Sequence, residues 1–288
     1  MAVRSALLAF AGLCAALAIV VYVIAFDTGR GLGWDAHVLQ AATAERAIPS
    51  VQNASSGLID TIDVGSLVLL GGGIVGVALL LGRRRAALAA ALLIAGANAT
   101  TQALKPGLGA LHPFGDARAQ IHSSFPSGHA TVAMSIALAA VLVAPTGWKL
   151  LAALGGAAYA AAVGISLLVQ ASHYPSDVAG AFLLTGAWAA IAALLTDRPE
   201  ETRTGSVRAG LAAAGLAVAA FVVLVMVAVH RHPGIVFRLH AETKLVFALA
   251  VLSGLALAIC AGLALLLQAS ALRSASTTRS WSSGSIAE

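Results

Sequence analysis

Charge is scarce in this 288-residue chain: Asp, Glu, Lys and Arg together make up 10% of it, while 59% is hydrophobic. Mean hydropathy is +0.92. A soluble domain needs far more polar surface, and apolar runs of about twenty residues recur along the chain, so a soluble enzyme or binding module is excluded. Cysteine is nearly absent. Cys14 and Cys260 both lie inside apolar runs. That rules out a loop disulfide framework or a cysteine metal cluster and leaves two small buried apolar residues. Aromatics are only 5%, and no Lys/Arg run interleaves with them. The net charge of +5 therefore points away from nucleic acid. The basic residues sit at the ends of apolar runs, where membrane orientation and anionic headgroups account for them. No strong internal repeat is present.

What is there is an all-α pattern, a polytopic helical membrane bundle. Alanine, leucine, valine and glycine dominate, and small residues let membrane helices approach closely. Eight spans are predicted, at about 5–26, 63–82, 86–104, 128–144, 150–171, 178–196, 209–229 and 245–268. The run from Ala6 to Phe26 after Arg4 is longer than a signal-peptide core and reads as a retained first helix. With both termini cytoplasmic, the inside segments hold Arg4, Arg83, Arg84, Arg85, Lys149, Arg198, Arg203, Arg208, Arg273 and Arg279. The outside segments are longer and hold Arg30, Arg46, Lys105, Arg118, Arg231, Arg238 and Lys244. The positive-inside rule favours that orientation. The expected organisation is a first helix with an outer interfacial segment (1–62), a catalytic core (63–196), two extra helices (197–268) and a Ser/Thr-rich disordered cytoplasmic tail (269–288). Within 27–62, Trp34, Val38, Leu39 and Ala42 fall at helical spacing opposite Asp35 and Glu45. This suits a short helix in the interface, or an amphipathic cover that only seals the site.

Two short stretches carry ionisable residues at the mouths of apolar spans, where such residues are expensive and mark function. The first is Phe125-Pro126-Ser127-Gly128-His129, the second His173-Tyr174-Pro175-Ser176-Asp177. Ser127 is a good N-cap, and the N–H groups of the helix start make an anion site. Gly128 permits close backbone approach, and His129 can reach an oxygen of a bound anion. Pro175 suits a first helical turn, so Asp177 lies one turn from His173. A carboxylate on one imidazole nitrogen fixes the tautomer and makes the other a better nucleophile or base. A zinc site built from His129, His173 and Asp177 is the competing reading. No His-Glu-x-x-His or loop cysteine accompanies it, and Ser-Gly-His at a helix start favours an anion over a cation. Asn98, Thr100, Thr101 and Gln102 precede Lys105; they either line a polar vestibule or hydrogen-bond between helices.

The chain resembles the type 2 phosphatidic acid phosphatase superfamily, the membrane lipid phosphate phosphatases. That family carries Lys-x6-Arg-Pro, Pro-Ser-Gly-His and Ser-Arg-x5-His-x3-Asp. Here Lys105 to His112-Pro113, Pro126 to His129, and Ser166-Leu167 with His173 and Asp177 stand in the same order and spacing, over about residues 60–196. The resemblance implies a six-helix phosphatase core. It makes His173 the nucleophile of a phosphohistidine, Asp177 its orienting partner and His129 the general acid. Lys105, Ser127 and the Gly128 backbone hold phosphoryl oxygens. It implies no cofactor and no metal.

Both family arginines are replaced, by His112 and Leu167. Arginine offers a fixed charge and a bidentate fork. Histidine titrates near pH 6.5, and leucine offers neither. Arg118 is the preferred substitute donor, with Gln170, Arg231 and Arg238 as others. His112 in the arginine's place predicts tighter phosphate binding at mildly acid pH. The expected function is removal of phosphate from a lipid phosphate or diphosphate at the outer face of a bacterial plasma membrane. Polyprenyl diphosphate, phosphatidylglycerol phosphate and phosphatidic acid are the substrate types. The alternatives are a phosphoryl or headgroup transferase with the same His-His-Asp core, and a catalytically weak lipid-binding relative. The expected partners are the bilayer and its lipid phosphates, with no nucleic acid.

Overall fold

In hydrocarbon every backbone N–H and C=O must be bonded within its own segment, so apolar runs of this length become helices. The computed structural model describes residues 2–60, 62, 64–108, 125–196 and 243–284. Helices account for all regular structure among them: α1 (Ala2–Asp27), α2 (Gly29–Ala44), α3 (Pro49–Asp60), α4 (Val64–Ser66), α5 (Gly72–Leu80), α6 (Arg84–Leu108), α7 (Gly128–Val143), α8 (Lys149–Val169), α9 (Pro175–Ala193) and α10 (Thr243–Gly284). A π-helical turn, Leu67–Gly71, joins α4 to α5. Among the described residues, five helices are long and apolar enough to cross a membrane: Val3–Asp27, Arg84–Leu108, Thr146–Val169, Pro175–Thr196 and Lys244–Ala269. Leu67–Leu80 and Gly128–Val143 are shorter apolar helices. The predicted span at 209–229 lies outside the described residues.

Helix α7 is the axis of the bundle. It packs against α6, α8 and α9 and is buried almost without interruption from Ala130 to Val143. Small residues permit this. A Cβ added at Gly156 of α8 would sit 2.9 Å from the Ala137 Cβ, and one at Gly96 of α6 would meet the Trp188 ring at 2.6 Å. The periphery is the reverse. Leu8, Leu13, Ile19, Leu69, Leu80 and Phe247 are exposed, as side chains facing acyl chains are in a membrane protein.

The two ends of the bundle differ in kind. At one end the last carbonyls of α7 are capped by cations. Lys149 Nζ donates to Val141 O at 3.0 Å and to Leu142 O at 3.2 Å, and the Arg83 guanidinium donates to Val143 O. These charges complement the negative end of the helix dipole. The opposite end gathers the C-terminal turn of α6 and the N-termini of α7 and α9, the three places where the motifs lie.

Three departures from the expected organisation stand out. The 27–62 connection is two helices, α2 and α3, packed on α1 and α8. Asp35 is not opposite the apolar stripe but at its head: Asp35, Val38, Leu39 and Ala42 are all buried, as their i, i+3, i+4, i+7 spacing dictates. The last helix does not stop near 268 but continues to Gly284. Residues 269–283 contain neither glycine nor proline, so nothing in the backbone breaks the helix before Gly284.

Candidate active site

Ser127 caps α7. Its backbone is extended and its hydroxyl oxygen accepts from the Ala130 N–H at 3.3 Å, one of the first-turn N–H groups that have no partner within a helix. Phe125 anchors the approach to this cap. Its ring lies 5.2 Å from that of Tyr22 and 5.7 Å from that of Phe26. It also presses on Gly180 of α9 so closely that a Cβ there would meet it at 2.3 Å.

Lys105 reaches the same cap from α6. The two helices are fastened one turn below by Thr101 Oγ1 and Thr131 Oγ1, 3.0 Å apart, and Thr131 in turn donates to Ser127 O at 2.8 Å. One turn on from Thr101, Lys105 Nζ therefore sits over Gly128, 3.1 Å from where a Cβ would be, with Gln102 Nε2 at 3.7 Å. An ammonium beside the positive end of a helix is repelled by it unless an anion joins them, so the pairing is one that an anion would suit. Asn98 and Thr100 go elsewhere. Asn98 Nδ2 donates to Ser135 Oγ at 3.3 Å, and Trp188 Nε1 donates to Thr100 Oγ1 at 3.1 Å. With Thr101, they are interhelical bonds, and of the four only Gln102 reaches toward Gly128.

His173 and Asp177 come from the α8–α9 connection. Helix α8 ends in a Schellman motif: Ser172 N–H bonds Leu167 O and Ala171 N–H bonds Leu168 O, both at 3.0 Å. Ala171, with φ 54°, occupies the left-handed position where glycine is usual. The chain then turns directly into His173. Asp177, at the third position of α9, accepts the Tyr174 N–H at 3.0 Å and lies 3.3 Å from His173 Nδ1 through the same oxygen, Oδ2. Asp177 is fully buried and His173 is 11% exposed. The two motifs are joined through the main chain, since Ser127 N–H donates to Asp177 O at 3.1 Å. The His129 and His173 rings face each other with centroids 6.4 Å apart, inclined by 61°.

Lys105, Ser127, Gly128, His129, His173 and Asp177 are thus brought together. Leu167 is fully buried in the apolar core and lends the site no charge. Gln170 is committed to α3, where it donates to Gln52 O at 3.3 Å and Ser55 Oγ at 2.7 Å. His112, Arg118, Arg231 and Arg238 lie outside the described residues. Among the described residues, no three His, Cys, Asp or Glu side chains gather closely enough to hold a metal ion.

One residue near the site was misread from sequence. Asp35 on α2 is 1% exposed. Its carboxylate bonds the Ser176 hydroxyl and accepts the Ser176 N–H at 3.4 Å, one residue before Asp177. Burial pushes its pKa up to about 7, the Ser176 hydrogen bonds oppose the rise, and the nearby Asp177 charge adds to it. The signal was available in the i+3 and i+4 spacing to Val38 and Leu39.

Residues 86–201, which contain every side chain nominated from the motifs, match the family model described as PAP2 superfamily. No curated protein and no solved structure matches the chain. Function of the lipid-phosphatase type follows in general from the superfamily. Over residues 86–201, then, the chain is similar to the PAP2 superfamily.

Proposed function

We propose that this protein removes phosphate from a membrane lipid phosphate or diphosphate through a phosphohistidine. The observation that carries the reading is the convergence of the Lys105 ammonium and the N-terminus of α7 on the His129–His173 pair. Asp177 holds the Nδ1–H of His173, which leaves Nε2 with its lone pair free. Nε2 attacks phosphorus and the bond from phosphorus to the lipid oxygen breaks. His129, entering as the imidazolium, gives that oxygen its proton. Water then attacks the phosphohistidine and His129 takes the proton back. Inorganic phosphate leaves and both histidines return to their starting states. Lys105, Ser127 and the first N–H groups of α7 meet the charge that develops on the phosphoryl oxygens; such a donor is typically worth about 10²–10³ in rate. His112 and Arg118 complete this charge in place of the family arginines.

The site end lies opposite the Arg83 and Lys149 end. By the positive-inside rule, the chemistry then faces outward with both termini cytoplasmic. The exposed apolar belt supports a substrate delivered from the bilayer. The test is phosphate release by purified protein in detergent, without added metal, from polyprenyl diphosphate, phosphatidylglycerol phosphate and phosphatidic acid, beside His173→Ala. Release abolished in the variant is the expected result. Transfer of phosphate to a lipid acceptor instead of water would make the protein a transferase. Folded protein that binds these lipids without turnover would make it a lipid-binding relative.

A further inference from the structure

The chemistry proposed above makes no use of Asp35, yet that carboxyl is buried against the helix that carries the site. Burying an ionisable group is costly unless it is hydrogen-bonded. Its position on the α2 stripe, shared with Val38, Leu39 and Ala42, would be filled at less cost by an apolar residue. Asp35 holds Ser176, the second residue of α9, through both the hydroxyl and the N–H. The N–H groups in the first turn of a helix have no partner within it. In α9 two carboxylates supply partners: Asp177 takes the Tyr174 N–H and Asp35, from 141 residues away in sequence, takes that of Ser176. Asp35 and Ser176 also border an apolar cavity of about 190 Å³, walled by Val21, Ile24, Trp34 and Leu252. In apolar surroundings such a hydrogen bond gains strength.

We propose that Asp35 is a positioning residue of the active site: through Ser176 it fixes the first turn of α9, and with it the Asp177 carboxylate that orients His173. Helix α2 is then a working part of the site and not only its cover. The catalytic consequence rests on the phosphatase reading; the geometric consequence at His173 does not.

The experiment uses the full chain in detergent, with Asp35→Ala, Asp35→Asn, Ser176→Ala and the Asp35→Ala/Ser176→Ala pair. Phosphate release from a lipid phosphate is measured together with ¹⁵N-histidine NMR, which reports the tautomer of His173 and is assigned with His173→Ala. Asp35→Ala is expected to lower kcat on the order of 10–100-fold with KM nearly unchanged, as misplacement of a catalytic group does. Asp35→Asn, whose amide oxygen still accepts from Ser176, recovers most of that loss. The double variant is no slower than Asp35→Ala, because both changes cut one connection. The His173 signals move toward mixed tautomers in Asp35→Ala. Unchanged kcat and His173 signals in folded Asp35→Ala, or losses that multiply in the pair, overturn the proposal. If Asp35→Ala does not fold, Ser176→Ala decides, and unchanged kcat and signals there overturn it equally. If wild-type protein releases no phosphate, the phosphatase reading fails, and the His173 signals alone decide the role of Asp35.

Discussion

Replacing Ala171 by glycine tests whether the turn that delivers His173 is held under strain. Ala171 has φ 54°, a conformation that costs an L-residue roughly 1–2 kcal/mol because its Cβ crowds the following carbonyl. Glycine escapes this cost but has more freedom to lose from the unfolded chain, about 0.5–1 kcal/mol. The difference predicts that Ala171→Gly is more stable by about 0.5–1 kcal/mol, a rise of about 1–3 °C for a domain of ordinary heat capacity. The two Schellman bonds, Ser172 N–H to Leu167 O and Ala171 N–H to Leu168 O, use backbone atoms only and survive the change. His173 keeps its place, and phosphate release stays within about twofold of wild type. Valine at the same position is β-branched and is disfavoured in the left-handed region, so it lowers stability. The assay is thermal unfolding in detergent followed by tryptophan fluorescence, with phosphate release on the same samples. A glycine variant no more stable than wild type would refute the strain argument.

Other outcomes follow from the same geometry. A methyl at Gly128 meets Lys105 Nζ at 3.1 Å, the free end of a flexible side chain. Gly128→Ala thus folds normally but displaces the ammonium, and is expected to cost on the order of 10–100-fold in kcat/KM and to weaken inhibition by vanadate; unchanged kinetics would remove Lys105 from the anion site. Asp35 releases its proton at about 7 in the folded protein against 3.8 ordinarily. Between those values the folded state holds a proton that the unfolded chain has lost. Stability therefore falls as pH rises from about 4 to about 7, by up to about 1.4 kcal/mol per pH unit, and is flat above. Asp35→Asn abolishes this contribution, so equal slopes in variant and wild type would contradict it. Lys149→Met uncaps Val141 O and Leu142 O at the end of the bundle remote from the site. It is expected to cost about 1–3 kcal/mol in stability with kcat intact, measured by unfolding and phosphate release.

Much of the molecule was legible in its sequence because hydrocarbon leaves a chain few choices. Apolar runs had to become helices, and α1, α6, α8 and α9 begin and end within a few residues of their predicted bounds. Ser127 and Pro175 announced helix starts, and the His173 to Asp177 spacing gave the carboxylate–imidazole pair at 3.3 Å. The polar run before Lys105 was ambiguous because hydrophobicity does not tell a vestibule from an interhelical bond. Partners on α7 and α9 assign Asn98, Thr100 and Thr101 to the latter. Gln170 had the right period to face the site, yet it ends α8 and is held by α3, which no local pattern discloses.

The sequence by itself determined the helices, their capping residues and the spacing within the motifs, because these depend on hydropathy and on contacts within one or two turns. Only the tertiary structure decided which groups meet. Thr101 on Thr131 sets Lys105 over Gly128, Ser127 N–H on Asp177 O joins the two motifs, and Asp35 reaches Ser176 across 141 residues. Such pairings depend on how antiparallel helices are rotated and slid against one another. Small-residue packing along their whole length fixes that, and no single stretch of sequence encodes it.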